Sequence, residues 1–208
     1  MQIEHRGWKP EVAASAYVAP TAVLAGRVEI GPRSRVMFGA AISSEGSAIE
    51  IGECAIICEN AVIRASAVGD REYPVKLGDH VFVSPHATLI GCTVERCSYI
   101  ATGATVLQGA VVRPGAAVAV GAFVHAGTVV PAGAFIPPNA VAVGDPADVF
   151  GPDQKEELAE AIKNLGFARI AFGVEAGWED RLTRYERATE IRSREFEKHF
   201  EDVIAGDA

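Results

Sequence analysis

Aliphatic residues recur every six positions along most of this chain. One series runs Val94, Ile100, Val106, Val112, Val118, Val124, Val130 and Ile136, and another runs Val12, Val18, Leu24, Ile30, Val36 and Ile42. Shorter stretches keep the same spacing at Ile51, Ile57, Ile63 and at Leu77, Val83, Leu89. A half-buried strand alternates and a helix repeats about every 3.6 residues, so neither produces a strict six over so many units. A coil with three short strands per turn does, because each flat side takes one hexapeptide. Counting the aliphatic residue as the first, the fourth is glycine at Gly103, Gly109, Gly115, Gly121, Gly127 and Gly133. The fifth is small at Ala104, Ala110, Ala116, Ala122, Thr128 and Ala134. Glycine accepts the positive φ of a sharp corner, so glycines in register predict a stack of corners. The expected fold class is an all-β solenoid over residues 1–150, followed by a helical segment, 151–208, packed on it.

The repeat breaks twice, after Ile42 (SSEGSAIE) and from Arg64 to Lys76 (RASAVGDREYPVK), and breaks in a solenoid are common places for function. The second is expected to bulge from the coil. Beyond Asp145, Asp153 and Glu156 read as a capping-box start for a helix to about Asn164, with Gly166 as its stop. A second, densely charged helix is expected from about Trp178 to Ile204. Its uneven apolar stripe, Leu182, Tyr185, Ile191, Phe196 and Phe200, is suited to lie along the coil.

Charge and composition narrow the function classes. A net charge of −8 with no basic stripe argues against a nucleic-acid surface. Pro114 to Gly144 carries no Asp, Glu, Lys or Arg, yet its glycines and prolines rule out a membrane helix. Outward positions in and just before it, Val111, Ala117, Phe123, Val129 and Phe135, need cover from another subunit or from the C-terminal helices. The first ten residues hold Glu4, His5, Arg6 and Lys9 and no apolar run, so a cytoplasmic location is expected. Cys54, Cys58, Cys92 and Cys97 form no CxxC pair and are read as reduced structural thiols.

Aliphatic hexapeptides with glycine corners, a closing VGDPA phrase and helices after it resemble the hexapeptide acyltransferase superfamily. Within it, PVKLGDHVFVSPHATLIGCTVERCSYIATGATVLQGAVV, with VMFGAAIS before it and the extended loop after Ile63, is similar to the γ-class carbonic anhydrase-like branch. The five-residue step from Leu89 to Val94 is similar too. The resemblance covers about residues 10 to 150 and implies a left-handed parallel β-helix assembled as a homotrimer.

The same resemblance implies a catalytic metal held by three histidines at the subunit boundary. Here those positions are Arg64, Pro85 and Ile90. The supporting R-G-D is Ser43, Ser44 and Glu45, and the supporting Q-D pair is Cys58 and Glu59. Proline and isoleucine offer no lone pair, so a zinc-hydroxide mechanism has no scaffold there and no metal or cofactor is expected. Arg64 either pairs with Glu59 or Glu45, or binds a small anion such as bicarbonate or a carboxylate. His86 is displaced by one residue from a ligand position and is the candidate for a general base. At a corner, like His80, it is also readable as a plain solvated or hydrogen-bonded histidine, and the outward His125 is read likewise. His5, before the repeat, receives no role.

Three functions are compatible with these residues. The first is a γ-carbonic anhydrase-like homotrimer that has lost its metal site and serves as a binding or structural protein. The second is a CoA-dependent acyltransferase with acyl-CoA as ligand and His86 as base. The third is a carbonic anhydrase or other hydrolase with a metal relocated to some set of His80, His86, Cys92 and Glu59.

Overall fold

The computed structural model describes residues 1–174 and 180–205, apart from the side chains of Ala168 and Phe172. It is a left-handed parallel β-helix of about eight turns whose strands stack into three sheets. The hexad aliphatics point inward: Val94, Ile100, Val106, Val112, Val118, Val124 and Val130 are fully buried, and Ile136 nearly so. Stacked valines from successive turns meet in a single column of core, since parallel pairing puts Val94 beside Val112 and Val112 beside Val130. Val12 and Val18, in the first turn, are only half-buried because no turn lies beyond them.

The corners are where the repeat places them. Gly103 has φ +68° and Gly121 φ +65°. The left-handed conformation persists where the fourth residue is not glycine: Cys54, His80, His86 and Cys97 have φ of +54°, +57°, +60° and +57°. The stack of turns therefore imposes the corner on residues that pay steric strain to adopt it.

The two breaks lengthen the first sheet. After Ile42 the strand continues as Ala41–Glu45 before turning at Gly46. The second break is a hairpin, Val62–Val68 pairing antiparallel with Arg71–Tyr73. Both long strands run side by side, with Ser43 opposite Arg64 and Glu45 opposite Ser66. The coil closes in another antiparallel hairpin, Val141–Val143 with Asp148–Phe150.

The C-terminal segment differs from expectation in its divisions. Helix α1 spans Lys155–Leu165 with Gln154 as N-cap and no side-chain cap, so the Asp153/Glu156 box is not formed. Gly166 does stop it, in the left-handed conformation. A short helix α2, Phe167–Phe172, follows at once, where no helix was expected. The start expected at Trp178 lies outside the described residues. Helix α3 spans Arg181–Phe196, capped by Asp180 accepting from the Thr183 amide at 3.2 Å. It ends eight residues before Ile204, giving way to a 3₁₀ turn, Glu197–Glu201, and a strand, Val203–Ile204. That strand pairs antiparallel with Gln2–Glu4, so the chain's two ends are joined at the edge of the first sheet.

The uncharged stretch is covered on one face only. His125, expected to be outward and wet, is 5% exposed, with the ring of Phe167 edge-on at 5.0 Å and Phe123 at 5.7 Å. Self-capping by the C-terminal helices accounts for the first sheet. On the third sheet Phe135 is 62% exposed, in one column with Tyr99 and Phe82. Among the described residues no helix is long and apolar enough to cross a membrane.

Candidate functional site

The candidate residues fall into two rows on adjoining parts of the coil. Ser43, Arg64 and Ile90 lie in register across three neighbouring strands of the first sheet and are half-buried. Cys58, Glu59, Pro85 and His86 stack at the corner that leads from the third sheet into the first, tied by the His86 amide donating to the Glu59 carbonyl at 3.0 Å. The side chain of His86 is exposed and has no hydrogen bond or ion pair among the described residues. Burial, with Glu59 beside it, pushes the Cys58 thiol up from its ordinary value. The four cysteines are all free.

Arg64 forms no ion pair with Glu45 or Glu59 within the protomer, contrary to one expectation for it. Its guanidinium lies over the ring of Phe196 at 5.0 Å, and its buried Nη2 has no hydrogen-bond partner among the described residues. Burial pulls this guanidinium below its ordinary value, opposed by the nearby Glu45 carboxylate. Phe196 comes from the end of α3, so the chain's own C-terminal segment roofs the row that holds Arg64 and Ile90.

Glu45 is committed elsewhere. Its carboxylate, 5% exposed, meets Nε2 of His199 at 2.9 Å and Nε2 of His5 at 3.5 Å. Asp202 accepts from Nδ1 of both imidazoles, at 2.5 Å from His5 and 2.8 Å from His199. The two rings stack with centroids 4.3 Å apart and planes 21° apart. Arg6 donates from Nε to His5 Nε2 at 3.0 Å, and its other end donates to the Glu195 carbonyl at 3.1 Å. The hydrogen bond to Asp202 is the main influence raising the His199 imidazole above its ordinary value. Burial resists ionisation of Asp202, but the two imidazoles hold its carboxyl below the usual range.

His5, given no role on sequence, is thus almost completely buried at the centre of a polar cluster. The relocated set of His80, His86, Cys92 and Glu59 is not assembled. His80 and His86 are exposed corners, and Cys92 is fully buried, its thiol pushed up to about 12 by burial. Among the described residues, the group of histidine, cysteine and carboxylate side chains close enough to share a cation is His5, Glu45 and His199. No sequence spacing could signal it, because its members stand near both ends of the chain and in the first break.

A broad open depression of about 890 Å³ lies on the outer face of the second sheet, lined in part by Glu11, Glu29, Glu50, Lys76 and Glu95. None of the candidate residues lines it.

No family model matches the chain. It is 38% identical over 98 residues to gamma carbonic anhydrase 3, mitochondrial, of Arabidopsis thaliana, covering 46% of this chain and 38% of that one. Gamma carbonic anhydrase-like 2, mitochondrial, of the same plant is 34% identical over 90 residues, or 42% of this chain and 35% of that one. A probable carbonic anhydrase of Methanocaldococcus jannaschii is 30% identical over 95 residues, or 46% of this chain and 57% of that one. The matched region thus spans well under two thirds of each relative. Over nearly its whole length the fold resembles the crystal structure of a putative acetyltransferase from Bacillus cereus, with TM-score 0.51, 26% identity and coverage of 95% of this chain and 96% of that one.

Proposed function

We propose that this chain, whose homologues are gamma carbonic anhydrases and gamma carbonic anhydrase-like proteins, is a homotrimer that has lost the family's metal site and acts as a binding or structural protein. The observation that carries this reading is the pair Arg64 and Ile90, side by side in register with Pro85 at the adjoining corner. A permanent cation, an aliphatic side chain and a proline cannot complete a histidine-type site. The exposed aromatic column of Phe82, Tyr99 and Phe135, next to the corner of Pro85 and His86, supports a neighbouring copy that would cover it and complete a cleft there. Within the cleft, the part-buried Arg64 guanidinium favours a small anion over a metal.

The test is CO₂ hydration by stopped flow on the full-length oligomer supplied with Zn²⁺, Co²⁺ or Fe²⁺. The expected result is no rate above buffer with any of them. Metal-dependent hydration would overturn the proposal. The second reading, a CoA-dependent acyltransferase, rests on the likeness to the Bacillus cereus protein and on His86 as base. Loss of acetyl-CoA thioester in the same preparation, abolished by His86→Ala, would favour it instead.

A further inference from the structure

Four side-chain atoms among the described residues are buried without a hydrogen bond: Glu45 Oε2, Arg64 Nη2, Ser66 Oγ and Gln108 Oε1. Three of them lie on the adjoining strands Ala41–Glu45 and Val62–Val68, with Glu45 and Ser66 directly opposite each other. An orphaned, buried carboxylate oxygen 3.5 Å from the His5 Nε2 indicates that something is lacking from its surroundings.

The hydrogen-bond geometry points to what it is. An ionised carboxylate only accepts, so Asp202, bonded to Nδ1 of His5 and of His199, fixes the proton of each neutral ring on Nδ1. In a neutral ring Nε2 then presents a lone pair, and the Nε2 atoms of both rings face Glu45, at 3.5 and 2.9 Å. Lone pairs of nitrogen and carboxylate repel at that distance unless a positive species sits between them. Arg6 supplies part of that charge at His5 Nε2, yet its guanidinium is 3.9 Å from Glu45 and leaves Oε2 without a hydrogen bond. The three donor atoms lie within 4.8 Å of one another, a span that one ion with bonds of about 2.0–2.2 Å can draw together.

We infer that His5, Glu45 and His199 form a site for a divalent transition metal of the zinc class, with Asp202 orienting both imidazoles, and that the ion clamps the C-terminal segment onto the coil. Two imidazoles and one carboxylate suit Zn²⁺ or Co²⁺ better than the hard cations, which prefer oxygen. A carboxylate behind each ligating histidine is the arrangement that fixes tautomer and raises ligand basicity. The clamp also governs the Arg64 row, because Phe196, its roof, lies three residues before His199. This inference goes beyond the proposed function and does not rest on it: the ligands are not at the family's positions, and the site needs no catalytic turnover.

The experiment is calorimetric titration of Zn²⁺ into the chelator-stripped full-length protein, with Co²⁺ absorption as a second readout. A His80→Gln, His86→Gln background removes the exposed corner histidines. The expected result is one equivalent per chain and Co²⁺ ligand-field bands. His199→Gln should lower affinity at least 100-fold, and Asp202→Asn should lower it about 10- to 100-fold. Arg6→Ala should tighten binding by removing a like charge and a competitor for His5 Nε2. Hydrogen exchange at Glu197–Glu201 should slow on adding Zn²⁺ in the parent and not in His199→Gln. Because His199 lies on a part-exposed 3₁₀ turn, its variant tests the site without opening the core. Parent affinity no higher than that of His199→Gln would overturn the inference, and would mean that a proton bridges His199 and Glu45. CO₂ hydration is read separately, so failure of the clamp and failure of the non-catalytic reading give different results.

Discussion

Replacing Phe196 with alanine should release the C-terminal segment from the coil and leave the coil intact. Phe196 is 39% exposed, so about three fifths of its surface is covered in the docked state. A fully buried phenylalanine hides about 150–250 Å², which makes the covered share here about 120 Å². At about 25 cal/mol per Å² this is worth at most about 3 kcal/mol, and the alanine methyl retains part of it. The lost contact with the Arg64 guanidinium adds about 0.5–1 kcal/mol. Water reaching the orphaned Nη2 of Arg64 offsets some of this, leaving about 2 kcal/mol, or roughly 30-fold more frequent opening. Native-state hydrogen exchange by mass spectrometry reads that ratio directly. Peptides covering Glu197–Glu201 and the strand Val203–Ile204 should exchange about 30-fold faster, while peptides across Val94 to Val130 should not change. Unaltered protection of the tail would refute the reasoning. Loss of protection spreading into the coil would refute it too, since it would mean that the segment is part of the coil's cooperative unit.

Arg64→Met should leave stability unchanged or raise it by about 1 kcal/mol, a melting shift of roughly 2–4 °C, because it replaces a part-buried cation lacking an ion pair with a chain that packs on Phe196. A clear fall in melting temperature would instead place an acidic partner from a second subunit on Arg64. Burial holds the His125 imidazole below its ordinary value, so its contribution is complete above an unfolded value of about 6.5 and is lost as pH falls from there through the folded value. His125→Phe should therefore flatten the acid side of the stability profile, by up to about 1.4 kcal/mol per pH unit within that window, and denaturant midpoints measured across pH 4 to 8 would detect it. Cys97, exposed at a corner, should react with a disulfide reagent within minutes at neutral pH, whereas Cys92 should react only on unfolding. Rapid modification of the native Cys92, located by peptide mapping, would contradict its burial.

The coil was legible from sequence because its determinants are local and repeated. Each hexapeptide carries its own inward aliphatic residue and its own corner, and the neighbouring turn asks for the same thing at the same place. His80, His86, Cys54 and Cys97 could be assigned to corners by counting alone, and their positive φ angles follow from that count. The identities of Arg64, Pro85 and Ile90 were equally open to view, being a matter of reading the residues. The C-terminal segment is less legible, since α2 and the 3₁₀ turn have no strong period. Their boundaries are set by what they pack against.

What the tertiary structure alone decided is which distant side chains meet. His5 and His199 are separated by nearly the whole chain, and Glu45 sits in a break that has no repeat to phase it. They converge because the last strand, Val203–Ile204, pairs with the first, Gln2–Glu4, and draws the preceding turn across the outer face of the first sheet. Arg64 is covered by Phe196 through the same closure, which is why it lies on an aromatic ring and not on the carboxylate that the family resemblance suggested. Periodic burial is a property of short segments and can be read from them. A contact that depends on where the two ends of a rigid coil are joined has no signature in either end.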